Sequence, residues 1–206
     1  MTNDVSGNDE GVKIAVFAVN YAPEVTGCAP YSVDLAEALA ARGNDVHVIA
    51  AVPHYPNWTI PTDFRDRRKF ISMENRVCVT RLRIYVPKTA TALARGRYEL
   101  SYFLRGLPSA LRSEFDLVIA VSPALSGMAL GAICSLRSGA PLKVLLQDLI
   151  GAAARESGIR GGAFVSRLVS VFEKRLIRKA DSVAVIADSF ASQVAQMGVP
   201  RERVHV

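Results

Sequence analysis

The sequence predicts an α/β fold: a Rossmann-like, doubly wound and mostly parallel sheet with helices on both faces. Short β-branched runs with few charges alternate with segments of helical periodicity. This alternation is typical of parallel strands joined by right-handed helical crossovers. Half of the 206 residues are apolar, which is enough to bury a sizeable core.

The first strand–loop–helix unit spans residues 13–43 and sets the pattern for the rest. Residues 12–19 form an apolar, β-branched run, as expected of a strand that is covered on both faces. After a loop, Pro30 suits a first helical turn and apolar residues then recur at helical spacing. Gly43 is the expected stop of this helix.

The remaining elements follow the same alternation. Strands are predicted at residues 45–52, 77–86, 116–121, 142–147 and 182–187, and helices at residues 98–113, 124–137, 163–179 and 190–197. The charged residues 63–75 indicate a mobile excursion, whereas Arg81 and Arg83 are expected to face outward from their strand. Residues 203–206 begin another apolar strand, which indicates truncation at a domain boundary. The polar residues 1–11 are predicted to be a disordered tail rather than a signal peptide.

The cysteines and one long uncharged run bear on the compartment. Three cysteines, far apart and without metal-ligand spacing, fit a reducing cytoplasm and predict no metal site. Residues 117–136 carry no charge and are numerous enough to span a bilayer. However, Ser122 and Pro123 split the run into a short strand and a small-residue helix, so we expect it to be buried in the domain.

Charge is distributed unevenly along the chain. Residues 65–112 hold twelve basic and three acidic residues, a net charge of +9, although the whole chain carries only +6. Such a segment attracts an anionic membrane surface or nucleic acid, or it is simply a solvated face. Nucleic acid is disfavoured because no reading motif is present. Arg95, Arg97 and Arg105 are the predicted membrane contacts, joined by Leu93, Tyr102, Phe103 and Leu104 if the helix presents those residues outward.

Four loops are expected to line one crevice at the carboxyl edge of the sheet, namely residues 21–27, 53–58, 122–123 and 147–148. Gly27 would let the backbone approach a phosphate at the start of the first helix, with Thr26 as cap or donor, or else Gly27 only turns the chain. The loop is neither the Gly-x-Gly-x-x-Gly of a dinucleotide site nor a P-loop, which disfavours a dehydrogenase.

These loops, with two later motifs, resemble the N-terminal domain of family 4 retaining glycosyltransferases of GT-B fold, in the branch that builds exopolysaccharides of the colanic acid type. The matching pieces are Tyr-Ala-Pro-Glu-Val-Thr-Gly at 21–27, Pro-His-Tyr-Pro at 53–56, Ser-Pro at 122–123, Gln-Asp-Leu at 147–149, Phe-Glu-Lys-Arg at 172–175, Ala-Asp-Ser at 187–189 and Gly-Val-Pro at 198–200. Relatives often carry His in the loop of Gln147 and Asp148, and Trp-Pro or Phe-Pro at Ile150 and Gly151.

The resemblance implies transfer of a sugar, with retention, from a nucleotide-sugar donor to a saccharide or lipid-linked acceptor, without a further cofactor. Residues 12–206 would be the acceptor-side domain, truncated before the C-terminal domain that holds most of the donor, so the fragment would be inactive. It would act in the cytoplasm, at the inner face of the membrane. The alternatives are a non-catalytic sugar- or phosphate-binding module and a nucleic-acid binder.

Site residues follow from the same loops. Asp148 is the catalytic candidate, Gly27 and Thr26 are the candidates for donor phosphate, and the candidates for acceptor or sugar binding are Tyr21, Glu24, His54, Tyr55, Ser122 and Gln147. Structural alternatives stand beside them. Asp148 could cap the following loop, Glu24 could be exposed, and the loop of His54 and Tyr55 could simply pack around Trp58. Glu173 is predicted to form a helical ion pair and Ser189 to cap a helix.

Overall fold

The computed structural model describes residues 11–89, 91–148 and 162–206. Its strands are β1 (Lys13–Phe17), β2 (Asp45–Ala51), β3 (Lys69–Glu74), β4 (Val77–Leu82), β5 (Leu117–Val121), β6 (Leu142–Leu146), β7 (Ser182–Val185) and β8 (Val204–His205). Its helices are α1 (Ala29–Ala41), α2 (Ala92–Ala110), α3 (Leu125–Ser138), α4 (Gly162–Lys179) and α5 (Asp188–Gln196).

The strands form one sheet in the order β3-β4-β2-β1-β5-β6-β7-β8. The β3–β4 pair is antiparallel, and the other pairs of neighbours are parallel. Strand β1 lies between β2 and β5, with Ile14 paired to Val46 on one side and to Leu117 on the other. Because the strand order reverses at β1, the crevice beyond the carboxyl ends of β1 and β5 is the place where such sheets bind ligands.

Both faces of the sheet are buried, as the uncharged strands predicted. Alternate residues of β1 separate into two cores: Val16 packs with Ala36 of α1, whereas Phe17 packs with Tyr102 of α2 and Leu130 of α3. This arrangement of helices on both faces of a mostly parallel sheet confirms the predicted fold class.

Details of the first unit and of the uncharged run are also confirmed. Pro30 lies in the first turn of α1, and Gly43 has a φ of +90° immediately after that helix. Residues 117–136 divide into β5, a turn and α3. Among the described residues, no helix combines the length and apolarity needed to cross a bilayer.

The charged hairpin differs most from the prediction. Residues 63–75 are not an irregular excursion, because they contain a 3₁₀ turn and β3, which pairs with β4 at the sheet edge. No residue of this edge strand is fully buried, so its sequence lacks the apolar signal of a strand. Arg81 does not face outward either: its side chain is buried and pairs with Glu74. Arg83 is exposed, as expected.

Two helix starts were also predicted wrongly. Helix α2 begins at Ala92, because the Thr91 hydroxyl accepts a hydrogen bond from the Ala94 backbone N–H at 3.2 Å and caps the helix there. Ser189 is not the cap of α5. That helix begins at Asp188, and its N-cap residue is Ala187. At α2 the capping hydrogen bond, rather than the hydrophobic spacing, sets the boundary.

Candidate active site

Loops that follow different strands are tied together at the carboxyl edge of the sheet. The Glu24 carboxylate, in the loop after β1, accepts hydrogen bonds from the backbone N–H groups of His54 and Tyr55 at 2.7 and 2.8 Å. On the other side of β1, the Ser122 hydroxyl donates to the Asp148 carbonyl at 2.8 Å. The structure therefore brings the four predicted loops together in two bonded pairs.

Glu24 is a buried loop anchor. Its Oε2 accepts a hydrogen bond from the Asn20 side-chain amide at 2.7 Å, while its Oε1 accepts those from the His54 and Tyr55 backbone N–H groups. The alternative that Glu24 is merely exposed is therefore wrong. A carboxylate that satisfies buried backbone donors holds both loops in a fixed relation.

His54 is buried, with both ring nitrogens engaged. Its Nδ1 lies 2.8 Å from the Val52 carbonyl, so Nδ1 carries the proton and donates. Its Nε2 lies 3.0 Å from the Tyr98 hydroxyl, which must then donate to it. Burial lowers the pKa of His54, although the Val52 carbonyl and the Glu24 charge oppose this shift, so the imidazole is neutral near pH 7.

An aromatic cluster supports this loop. The Trp58 ring lies 5.8 Å from the rings of His54 and Tyr98 and 5.9 Å from that of Tyr55, measured between centroids. The packing of this loop around Trp58, which the sequence left as an alternative, is therefore present. Tyr55 nevertheless keeps an exposed face at the crevice.

Gly27 lies directly against Tyr55. A Cβ added to Gly27 would stand 3.3 Å from the Tyr55 ring, and the glycine has a φ of +63°, which is strained for other residues. The residue that caps α1 is Cys28, whose side chain makes no capping hydrogen bond. Thr26 is exposed and does not cap the helix, so that part of the prediction is wrong.

Arg81 braces the same loop from the β3–β4 hairpin. Its guanidinium contacts both oxygens of Glu74, at 2.5 and 2.8 Å, and donates to the Ala22 carbonyl at 2.6 Å. This hydrogen bonding lowers the pKa of Glu74. This contact was not predicted from the sequence, although a charge in a strand covered on both faces indicates a buried partner.

Tyr21 and Gln147 each bury a polar atom in the loops that follow β1 and β6. Among the described residues, neither the Tyr21 hydroxyl nor the Gln147 Nε2 has a hydrogen-bond partner. Burial, and then the charges of Glu37 and Glu74, raise the pKa of Tyr21 to about 12. Both hydroxyl and amide are therefore neutral donors at pH 7.

Asp148 is exposed at the end of β6. Burial, and then the charge of Asp148, raise the pKa of Cys28 at the start of α1. Leu149, Ile150 and Gly151, which belong to the matching motif and its departures, lie outside the described residues.

Arg95 and Glu99 form a polar group that the sequence analysis did not assign to the crevice. Glu99 Oε2 accepts hydrogen bonds from the Ser126 backbone N–H at 3.0 Å and from the Ser126 hydroxyl at 2.5 Å. The Glu99 carboxylate thereby caps the start of α3. Arg95 lies 3.4 Å from the other Glu99 oxygen and 4.9 Å above the Tyr98 ring. The spacing of four residues between Arg95 and Glu99 was the available signal.

The described residues contain no cluster of three or more His, Cys, Asp or Glu side chains suited to a metal ion. The polar groups at this edge are instead hydrogen-bond donors, one exposed carboxylate and an aromatic face. Such a set suits a ligand rich in hydroxyl and phosphate groups.

Comparison with known proteins identifies the class of fold. Two solved structures share the fold: sucrose-phosphate synthase from Thermosynechococcus elongatus and Anabaena HepE, the latter in complex with UDP-glucose. The first has a TM-score of 0.57 at 16% identity, covering 90% of this chain and 45% of that one. The second has a TM-score of 0.50 at 17% identity, covering 95% of this chain and 43% of that one. The fold is thus that of the Rossmann-like domain of GT-B glycosyltransferases.

Sequence comparison identifies the family. Residues 26–206 match the model of the glycosyl transferase 4-like domain. Over 200 residues the chain is 32% identical to the putative colanic acid biosynthesis glycosyl transferase WcaI of Escherichia coli (strain K12), covering 94% of this chain and 49% of that protein. The chain therefore belongs to the glycosyl transferase 4-like family, which confirms the predicted family. It spans about half the length of this curated relative.

Proposed function

We propose that this chain is the acceptor-side half of a retaining glycosyltransferase that moves a sugar from a nucleotide-sugar donor to a saccharide acceptor. Membership of the family supports the reaction class. The UDP-glucose in the complex of Anabaena HepE supports a nucleotide diphosphate sugar as donor. The donor would lie mostly on a C-terminal domain, so the 206-residue chain would not turn over substrate by itself.

The observation that carries the proposal is the position of Gly27. It stands at positive φ just before the start of α1, next to Tyr55, at the carboxyl edge of a parallel sheet. A helix N-terminus attracts anions, and an absent side chain lets a diphosphate approach the backbone. Thr26, exposed beside Gly27, would be a further donor to the phosphate oxygens.

Two groups of residues would act differently on the sugars. Asp148 and Tyr55 would contact them directly, Asp148 by orienting a hydroxyl and Tyr55 by offering its ring, because both are exposed at the crevice. The donors on Gln147 and Tyr21 would serve acceptor hydroxyls. Glu24, His54 and Ser122 would act as positioning residues, because their side chains already bind the loops.

The acceptor we favour is a lipid-linked saccharide, so that the enzyme works at the cytoplasmic face of a membrane. Relatedness to a putative colanic acid biosynthesis glycosyl transferase supports assembly of a polysaccharide. No metal ion or further cofactor enters the proposal, because the anionic donor would be held by backbone N–H groups at the start of α1.

Asp148→Asn tests the proposal in a chain that includes both halves. Loss of an orienting carboxylate should lower kcat by about ten- to a thousandfold, the usual scale for a single charged group that positions a substrate. Transfer would be measured over a panel of nucleotide sugars. Asp116→Asn is the control, because Asp116 precedes β5 and so lies at the amino edge of the sheet, away from the crevice. Full transfer by the Asp148→Asn variant would exclude Asp148 from the site, and robust transfer by the 206-residue chain would refute its role as a half-enzyme.

A further inference from the structure

Strand β3 is an edge strand with one side of its backbone open. Within the described residues it pairs with β4, and no further strand lies beyond it in the sheet. The Arg83 N–H donates to the Arg68 carbonyl at 3.0 Å, so the register of the hairpin turns the backbone groups of the even-numbered residues 68–74 toward β4. The backbone N–H and C=O groups of the odd-numbered residues therefore point away from the sheet. These residues are Lys69, Ile71 and Met73.

The side chains of this edge leave it accessible. Ile71 is 63% exposed and Met73 is 68% exposed, and both project from the same face of the sheet because they are two residues apart. Charged side chains, above all lysine, are the usual protection of an edge, and Lys69 is the charged residue among the three that point outward. An open edge with large exposed apolar side chains can accept a further strand.

The strand is complementary to a second copy of itself. About a two-fold axis perpendicular to the sheet, two β3 strands would run antiparallel and keep the same face of each sheet on the same side. With the axis at Ile71, the two Ile71 residues would lie opposite each other, and Lys69 of each copy would lie opposite Met73 of the other. All three pairs join residues with outward backbone groups, so each pair can exchange two hydrogen bonds.

Opposite charges also meet in this register. Arg68 of each copy would lie opposite Glu74 of the other, on the same face of the joined sheet. The Glu74 side chain is still 34% exposed beside Arg81, so it remains accessible to a second arginine. Arg68 is exposed and lies next to the first residue of β3.

Neighbouring registers place like charges opposite each other. Moving the axis one residue forward along β3 would set Arg68 against Arg76 of the other copy. Moving it one residue back would set Asp66 against Glu74. Like charges directly opposite each other destabilise a strand pair, so the register with the axis at Ile71 is favoured.

We propose that two copies of this chain pair through β3 and form one continuous sheet. Because the pairing occupies the open edge of both copies, the assembly closes at two. The crevice lies at β1 and β5, which β4 and β2 separate from β3, so it stays open in the pair. The association should be weak, since the joined edge is small and the hairpin carries further arginines. No donor or acceptor takes part, so this proposal is independent of the proposed function.

Sedimentation of the 206-residue chain in buffer tests the pairing. Between about 10 μM and about 1 mM, the average mass should rise from that of one chain toward that of two, as expected of a small interface. Hydrogen exchange tests the register, because the amides of Ile71 and Met73 should be protected only at high concentration, whereas those of Phe70 and Ser72 bond to β4 and should be protected throughout. A constant mass would overturn the proposal, as would a dimer in which the Ile71 and Met73 amides exchange as fast as in the single chain.

Ile71→Pro removes the N–H at the centre of the pairing. The hairpin should accept this proline, because the N–H points away from β4, and the dimer should be abolished. Ile71→Thr is the matched control, since it retains the N–H and a β-branched side chain, and it should still dimerise. Equal masses of the two variants at high concentration would contradict pairing through this edge.

Arg68→Glu tests the charge pairs without altering the backbone. It sets like charges opposite each other twice in the dimer and should weaken association at least about tenfold. Arg137→Glu is the control, because it makes the same change of charge at an exposed position on α3 and should leave association unchanged. Melting temperatures equal to that of the unchanged chain would show that both variants are folded. Equal association by these two variants would overturn the register.

Discussion

The two sides of the crevice are built differently. On the side of β2 and β4, buried charges fix the loops: Glu24 accepts two backbone N–H groups, and Arg81 joins Glu74 to the Ala22 carbonyl. On the side of β5 and β6, one hydroxyl–carbonyl bond from Ser122 joins the loops, and the Gln147 Nε2 has no partner within the described residues. The first, fixed side thus joins its loops through buried charges, whereas the second, open side joins them through a neutral hydrogen bond.

The fixed side includes the loop of Gly27, the proposed phosphate site. The loop of Gly27 has a glycine at positive φ, yet it is bonded at Ala22 and at Glu24 to two different parts of the sheet. A loop that is ordered before its ligand arrives loses less entropy on binding. The bonds at Ala22 and Glu24 would therefore lower the entropic cost of the donor binding proposed for Gly27.

Arg81→Met should give the largest effect and would break the fixed side. Removing the buried guanidinium takes the donor from the Ala22 carbonyl and leaves Glu74 with the Ser72 hydroxyl, so we expect a loss of about 2 kcal/mol in the free energy of unfolding. Chemical denaturation measures it. Arg83→Met is the control, because Arg83 is exposed on the same stretch and should change stability by less than about 0.5 kcal/mol.

The double variant Arg81→Met with Glu74→Leu sharpens the result. If the cost of the single change comes from an unpaired carboxylate, removing both charges should restore part of the lost stability. An Arg81→Met protein as stable as the unchanged chain would show that the pair does not hold the loop.

Acid should weaken the fixed side through His54. Because the pKa of folded His54 lies below its ordinary value of 6.5, the unfolded chain takes up the proton first, and stability falls as pH drops below about 6.5. Burial lowers the pKa of His47 in the same direction, while Glu74, with its lowered pKa, adds a further loss below its ordinary value of 4.5. His54→Asn should flatten the upper part of this dependence.

Thermal unfolding between pH 7.5 and 5.5 measures this slope. His47→Asn is the comparison, since it removes the other histidine with a lowered pKa and leaves the loop of Glu24 intact. If the slope near pH 6 is the same with and without His54, then protonation of that ring is not linked to folding.

The sequence predicted the sheet because the evidence for it is local. Uncharged β-branched runs, the proline of α1 and the glycine after it each specify their own element. The edge strand β3 and the buried Arg81 were missed because they depend on pairing with distant residues. Likewise, the strand order predicted that the crevice loops share one edge of the sheet. The burial of Glu24 and the capping of α3 by Glu99 were not predicted, because they arise from tertiary contacts.

The same limit applies to the arginines predicted to bind a membrane. Their positions along the chain suggested one patch, but α2 separates them, with the Arg95 guanidinium over the ring of Tyr98 and the Arg97 guanidinium over the ring of Tyr85. Of the apolar residues expected to face outward with them, Tyr102 is buried and Phe103 packs against the core, whereas Leu93 and Leu104 are exposed.

Gln147→Leu should give the smallest change in stability and would sharpen the comparison from the open side. The buried Nε2 has no partner within the described residues, so replacing the amide with an apolar group of similar size removes an unpaired donor and should cost less than about 1 kcal/mol or stabilise the chain. Ser122→Ala is the matched control, since it removes a hydrogen bond that is made and should cost about 1 kcal/mol. In the longer chain, Gln147→Leu should raise the KM for the acceptor with little change in melting temperature. A clear loss of stability with an unchanged KM would assign Gln147 to the fold and would remove the distinction between the two sides.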